Sequence, residues 1–191
     1  MDQIDDHDLV LASQAGDEAA ITRLIDLHAE AVQGFIFALL GDKDLVADLA
    51  QDTFLRAFLA IKKYEFRAPF RSWLFRIAMN LCRDQLRKRK VRKIMGSFHH
   101  PVDEEEIDYI DPQPDALANL EQKERAALVH KALAQLPDPL RQVLVLRDLQ
   151  ELSYEEMAQL LRWRMGTIKS RLFRARKELA HLLKEYMEEA I

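Results

Sequence analysis

One cysteine in the whole chain, Cys82, excludes an internal disulfide framework. No cysteine–histidine group shows zinc-ligand spacing, and the pair His99 and His100 stands without companions. Only five glycines occur, none in a phosphate-cradling loop, and neither a carboxylate cluster nor a nucleophile beside a base is present. These absences argue against an enzyme and against any metal or cofactor. No apolar run approaches the roughly 20 residues of a membrane span, and the opening MDQIDDHDLV is acidic where a leader would be basic. A reducing, cytoplasmic setting is expected, without membrane insertion. Strand-like alternation is missing as well. Apolar positions recur at helical spacing almost throughout, so the expected fold is all-α.

What the chain does have is charge, 31% of 191 residues, sorted into blocks. Residues 1–52 hold twelve acids against Arg23 and Lys43, a balance of −10. Residues 62–93 hold twelve cations against Glu65 and Asp84, a balance of +10. Residues 102–124 return to −8, and Arg162 to Lys177 contains seven cations and no acid. The formal net charge of −4 averages these away. Segregation of this kind suggests separate surfaces for separate partners, the basic ones facing polyanions.

With 49% hydrophobic residues the chain can bury a real core. Helices are expected at about Asp6–Ala15, Asp17–Leu40, Lys43–Lys62, Phe70–Val91, Asp115–Leu136, Pro139–Leu149, Ser153–Arg162 and Thr167–Met187. Between Gly96 and Pro114 the segment GSFHHPVDEEEIDYIDPQP carries three prolines, six acids and little periodicity. It reads as an acidic linker (96–114) between an N-terminal domain (1–95) and a C-terminal one (115–191).

The C-terminal stretch LSYEEMAQLLRWRMGTIKSRLFRARKEL has the pattern of a helix-turn-helix. Ser153 and Glu156 form a capping box, with Leu152 and Met157 as a hydrophobic staple. Thr167 is placed to cap the second helix, in which Ile168, Leu172, Ala175 and Leu179 share an inward stripe. The rest of that helix is cationic, as a recognition helix requires if long donors are to reach base edges and phosphates in the major groove. Arg162 and Trp163 stand in the turn where many such motifs carry glycine. A left-handed Arg162 would cost on the order of 1 kcal/mol, so a locally different turn is expected.

In the N-terminal half, DLAQDTFLRAF from Asp48 places Leu49, Thr53, Ala57 and Ala60 on one stripe and Asp48, Gln51, Asp52 and Leu55 on another, the pattern of a docking surface. FRAPFRSWLFRIAMNLCRDQLRKRK then supplies a core stripe of Phe70, Trp73, Leu74, Ile77, Ala78 and Leu81, ringed by arginines. Aromatics among cations suit single-stranded nucleic acid, with bases stacking on rings along a positive track. Phe70 and Trp73 at helical spacing are more often core aromatics than stacking platforms, Asn80 fits a satisfied helix-interior position, and Phe173 can pack beside Leu172. Arg87 to Lys93 also fits a solvated helix end, and Cys82 a small buried hydrophobe.

Together these blocks, their order and the chain length resemble a bacterial RNA polymerase sigma factor of the extracytoplasmic function (ECF) group, over nearly the whole chain. The resemblance implies region 2 up to about Met95 and region 4 from about Asp115. It implies that Asp48, Leu49, Gln51, Asp52 and Phe54 dock on a coiled coil of core RNA polymerase. It further implies that the Phe70–Arg87 helix and the loop following Asn80 read the minus-ten element and capture a flipped-out base, with Arg71, Trp73, Arg76, Asn80, Arg83 and Arg87 as contacts. The minus-thirty-five contacts would be Arg162, Arg164, Thr167, Lys169, Ser170, Arg171, Phe173 and Arg174, with Arg171 and Arg176 gripping phosphates. Partners implied are core polymerase, promoter DNA both duplex and melted, and an anti-sigma factor, free or membrane-anchored. The acidic linker would thread the polymerase's RNA path, or serve only as a tether.

The competing reading is a dimeric helix-turn-helix regulator that binds a palindrome without polymerase. Ten net cations in residues 62–93 weigh against it, since a ligand-binding or dimerisation domain has no need of them.

Overall fold

The computed structural model describes residues 6–95 and 116–189, with side chains described for 6–92 and 125–188. The linker 96–114 and the histidine pair His99, His100 lie outside the described residues. Among the described residues all regular structure is helical. The elements are α1 (Asp6–Gln14), α2 (Glu18–Leu40), α3 (Lys43–Ala60), α4 (Phe70–Met95), α5 (Ala116–Gln135), α6 (Asp138–Leu144), α7 (Tyr154–Leu161) and α8 (Met165–Glu189). A 3-10 turn at Ile61–Lys63 ends α3, and a π-turn at Val145–Leu149 ends α6.

Helix boundaries follow local chemistry. Asp17 caps α2 by accepting from the backbone N–H groups of Ala19 and Ala20, and Gly41, left-handed at φ 62°, closes it with an N–H bond to the Phe37 carbonyl. Asp42 accepts from Leu45 N–H at the start of α3, and also receives the Arg89 guanidinium of α4 at 2.5 Å. Arg89 donates in addition to the Leu40 carbonyl at 2.8 Å, so one arginine pins the α2–α3 corner onto α4. His28 of α2 meets both carboxylate oxygens of Asp6 at 3.0 and 3.1 Å, and Gln14 Nε2 donates to the carbonyls of Ile61 and Tyr64. Those contacts hold α1 across the base of the three-helix packing of α2, α3 and α4.

The N-terminal core is built from Leu24, Phe35, Ile36, Leu39, Leu74, Phe75 and Met79, all essentially solvent-free. Cys82 belongs to it; burial pushes its thiol up to about 12, so it acts as an unreactive hydrophobe. In the C-terminal half, Leu133, Leu136, Leu146, Met157 and Ile168 form the corresponding centre. The two centres join in one continuous apolar cluster. Across this junction Phe37 of α2 meets the His130 ring of α5 at 4.6 Å, Arg83 donates to the Gln142 side chain at 3.0 Å, and Ser72 donates to Glu156 at 2.5 Å.

Three differences from the expected helices have clear causes. No loop follows Asn80, because α4 runs unbroken to Met95. Helix α8 begins at Met165, where the Thr167 and Ile168 amides bond back to the Arg164 carbonyl, so Thr167 lies within the first turn and is not its cap. The helix-turn-helix also keeps the usual geometry: Arg162 is left-handed at φ 57° and ψ 40°. Leu160 and Leu161 before it are buried, and their packing outweighs the local strain.

Candidate nucleic-acid interface

Helix α4 advances about 100° per residue, so Trp73, Arg76, Asn80, Arg83 and Arg87, spaced by three and four, share one face. Arg76, Asn80 and Arg87 are exposed, and Trp73 and Arg83 half-buried. Arg87 holds an ion pair with Asp84 at 3.2 Å, on a surface where such pairs exchange readily for a phosphate. Arg71 falls outside this face. Its guanidinium lies over the Phe75 ring and donates to the Gln150 carbonyl and side chain at 3.2 and 2.9 Å. The side chain is thus engaged by the C-terminal half in this arrangement.

A feature the sequence reading missed precedes α4. Phe66 is left-handed at φ 56°, a strained state for a bulky side chain. Its ring packs against Tyr64 at 4.9 Å and His7 at 4.5 Å, and Tyr64 in turn meets Trp73 at 5.1 Å. The loop of residues 64–69 and the start of α4 border a cleft of about 600 Å³ lined by Lys63, Tyr64, Arg67, Ser72, Trp73 and Arg76. Glu156, Gln159 and Leu160 of α7 form its far wall. Density of aromatics between Tyr64 and Trp73 was the available signal; the turn that gathers them is set by Phe66 and Pro69, whose geometry periodicity does not report.

On α3 the outward stripe is Asp48, Gln51, Asp52 and Leu55, all exposed, and it continues to Leu59 at 78% exposure. Leu49 and Phe54, expected as docking contacts, are 4% and 7% exposed and belong to the core. They stand on either side of the inward stripe of Thr53 and Ala57, and both pack into the core that α3 forms with α2 and α4. Leu49 nonetheless floors a groove of about 320 Å³ with Asp52, Arg56, Asp84 and Arg87 on its rim.

In the helix-turn-helix, the capping box is complete: Ser153 accepts from the Glu156 amide at 3.2 Å while the Glu156 carboxylate accepts from Ser153 N–H at 2.8 Å. Burial pushes the Glu156 carboxyl up, but hydrogen bonds from Ser72 and Ser153 outweigh it and leave the group below its ordinary range. Ile168, Leu172 and Ala175 are buried as expected, with Leu179 half-buried. The face directly opposite carries Ser170, Phe173, Arg174 and Lys177, all exposed, with Phe173 at 72%. Phe173 therefore does not pack beside Leu172. The Ser170 hydroxyl donates to the Thr167 carbonyl at 3.1 Å, and its lone pairs still accept.

The flanks of α8 are tied to the body. Lys169 sits 5.5 Å from the Tyr154 ring, and Arg176 gives Nε and Nη2 to the two carboxylate oxygens of Asp148 at 2.9 and 2.5 Å. Arg176 thereby links α8 to the π-turn through an exposed ion pair. Arg162 and Arg164 are exposed in the turn. The structure thus brings Arg162, Arg164, Lys169, Ser170, Phe173 and Arg174 onto one surface. Thr167 and Arg171 lie half-buried at its edge.

Residues 24–92 match the family described as Sigma-70 region 2, and residues 126–179 match the one described as Sigma-70, region 4. The chain is 32% identical to the RNA polymerase sigma-H factor of Pseudomonas aeruginosa, over 98% of both chains. It is 30% identical to the ECF RNA polymerase sigma factor SigW of Bacillus subtilis, over 89% of this chain and 92% of that one. Among solved structures, the sigma factor RpoE of Bartonella quintana, in complex with the anti-sigma factor NepR, matches with a TM-score of 0.67 and 31% identity over 85% of this chain and 96% of that chain. CnrH, solved with the cytosolic domain of CnrY, matches with a TM-score of 0.66 and 26% identity over 94% of this chain and 97% of that one. Two sigma-70 regions in order, an intact helix-turn-helix and end-to-end alignment with such relatives show that the chain belongs to the ECF group of RNA polymerase sigma factors.

Proposed function

We propose that this sigma factor divides its work among three surfaces: the acidic stripe of α3 docks core RNA polymerase, the basic face of α4 with its adjoining cleft takes the minus-ten element, and the outer face of α8 reads the minus-thirty-five element. The observation that carries this reading is the sorting of charge. Asp48, Gln51 and Asp52 line one exposed helix face, while Arg76, Asn80 and Arg87 line another and Arg174 and Lys177 a third. Leu55 adds an apolar anchor beside the acids, since a docking patch needs a desolvated centre as well as a charged rim.

The cleft before α4 suits an unstacked base better than the continuous helix after Asn80 does. The half-buried Trp73, backed by the buried Tyr64, offers a ring to stack on, and Lys63, Arg67 and Arg76 offer charge for the strand that carries the base. Asn80, exposed one turn beyond Arg76, can make a base-edge hydrogen bond. On α8 the exposed Ser170 and Arg174 can hydrogen-bond base edges, and the exposed Phe173 can meet a thymine methyl. The domains responsible are taken as 1–95 and 115–191, with 96–114 as a tether.

In the arrangement described, Arg71, Ser72 and Arg83 are bonded to the C-terminal half, and α7 walls the minus-ten cleft. Reading two promoter elements at once requires that these contacts part. Control by an anti-sigma factor fits this need, because a protein that spans both halves would keep them together. The chain's relatives are sigma factors, which are not enzymes, and promoter selection by the polymerase needs no catalysis from this subunit. Among the described residues no helix is long and apolar enough to cross a membrane. A cytoplasmic, nucleoid-associated protein is the setting this function requires.

Run-off transcription with core polymerase and a promoter library tests the reading. Asp52→Lys is expected to abolish core binding, measured by co-purification, whereas Arg174→Ala keeps core affinity and loses promoter selection. Equal loss of core affinity in both variants contradicts the division. A chain that binds palindromic duplex as a dimer without polymerase would favour the regulator reading instead.

A further inference from the structure

The turn of the helix-turn-helix holds a tryptophan that none of these roles employs. Trp163 follows the left-handed Arg162, is half-buried, and packs against the apolar cluster. The guanidinium carbon of Arg171 lies 3.9 Å from the centre of its ring, the shortest cation–ring contact among the described residues. At about 100° per residue, Arg171 stands on the flank of α8 opposite the one that carries Lys169 and Arg176. On that other flank Arg176 already has both carboxylate oxygens of Asp148. Arg171 has no hydrogen bond or ion pair among the described residues, so its donors are uncommitted.

We infer that Trp163 is a positioning residue for promoter binding: its ring holds the Arg171 guanidinium ready to grip a phosphate at one wall of the major groove that α8 enters. This rests on the assignment of α8 as the minus-thirty-five reader. A guanidinium stacks through its weakly hydrated faces and donates through its edge, so a ring beneath it leaves the in-plane N–H groups free for two phosphate oxygens. An unstacked arginine must give up rotamer freedom when it grips a phosphate. The stack removes much of that freedom before DNA arrives, which strengthens binding without adding a contact. A phosphate grip sets register and affinity and carries no base information. The left-handed Arg162 is part of the device, since it turns the chain so that Trp163 comes to lie beneath the second turn of α8.

The test uses holoenzyme, reconstituted from core polymerase and full-length chain, titrated against a duplex promoter fragment over a range of KCl. Trp163→Leu keeps an apolar side chain in the turn and removes the ring face. It is expected to weaken binding by about threefold to tenfold and to reduce the slope of log affinity against log salt by about one, as Arg171→Ala should. The double variant should be no worse than either single one, and Trp163→Phe should restore most of the affinity. Relative preference among base substitutions in the minus-thirty-five element should not change. Wild-type affinity and salt slope for Trp163→Leu would overturn the inference, as would additive losses in the double variant or a changed base preference. Circular dichroism and core binding establish that each variant folds, and if Trp163→Leu does not, the same comparison is made between Trp163→Phe and Trp163→Tyr, both of which must retain the slope. Failure of the underlying assignment has its own signature: Arg174→Ala would then leave promoter affinity and base preference untouched.

Discussion

Arg162 carries the clearest single-residue tension in the chain. Its φ of 57° is a state that non-glycine residues enter at a cost of roughly 1 kcal/mol, yet it stands in the turn of a DNA-binding motif. Arg162→Gly removes the Cβ clash but gives the unfolded chain more freedom, so the expected outcome is a net gain of about 0.5 kcal/mol in urea unfolding. The same variant deletes one exposed cation from the surface proposed to meet DNA. Weaker promoter binding alongside greater stability would therefore show that the arginine is retained for charge. The amino-acid order exposed the oddity of Arg162 and Trp163 in this turn, but it favoured a distorted turn. Propensity alone cannot weigh 1 kcal/mol of strain against the burial of Leu160 and Leu161, because that burial depends on α8 lying across them.

At the scale of the element, α7 is eight residues long and too short to persist alone, so its cap and its neighbours decide whether it forms. Ser153 accepts from the Glu156 amide and Glu156 accepts from Ser153, and Glu156 also receives Ser72 from α4. Ser153→Ala is expected to cost about 1 kcal/mol of stability by chemical denaturation. Combined with Glu156→Gln the losses should fall short of additive, because both substitutions break the same reciprocal pair. This element was the most legible in the chain: Ser153, Glu156, Leu152 and Met157 occur at the spacing a capped, stapled helix needs. Helix α3 was half legible. The two stripes are as the sequence implies, but Leu49 and Phe54, expected on the docking side, are buried, and only the packing of α3 against α2 and α4 shows that they face inward.

The whole molecule adds a property that neither half has alone. His130 of α5 sits against Phe37 of α2, and burial lowers its pKa from the ordinary 6.5. The unfolded or separated state takes up a proton at higher pH than the packed one, so stability of the packed arrangement falls as pH drops through and below about 6.5. Fluorescence transfer between labels on α3 and α8 should report separation of the halves on acidification across that range. His130→Leu should flatten the response there. A further loss, at pH below the ordinary 4.5 of Glu156, should remain in that variant, because the lowered carboxyl pKa means stability is present above that value and lost as the group protonates.

Periodicity, capping residues and charge blocks were enough to establish an all-helical chain, two functional halves and a basic recognition helix, because helix formation and amphipathicity are local properties of consecutive side chains. Which groups face outward was settled by packing. Arg71 is drawn to Gln150, Arg176 to Asp148, and Arg171 onto Trp163 across 79, 28 and 8 positions of sequence respectively. No pattern of neighbours reports a contact between distant residues. The tertiary structure alone showed which guanidiniums are hydrogen-bonded within the protein and which keep their donors uncommitted, since a guanidinium already bonded to another group must break that bond before it can grip a phosphate.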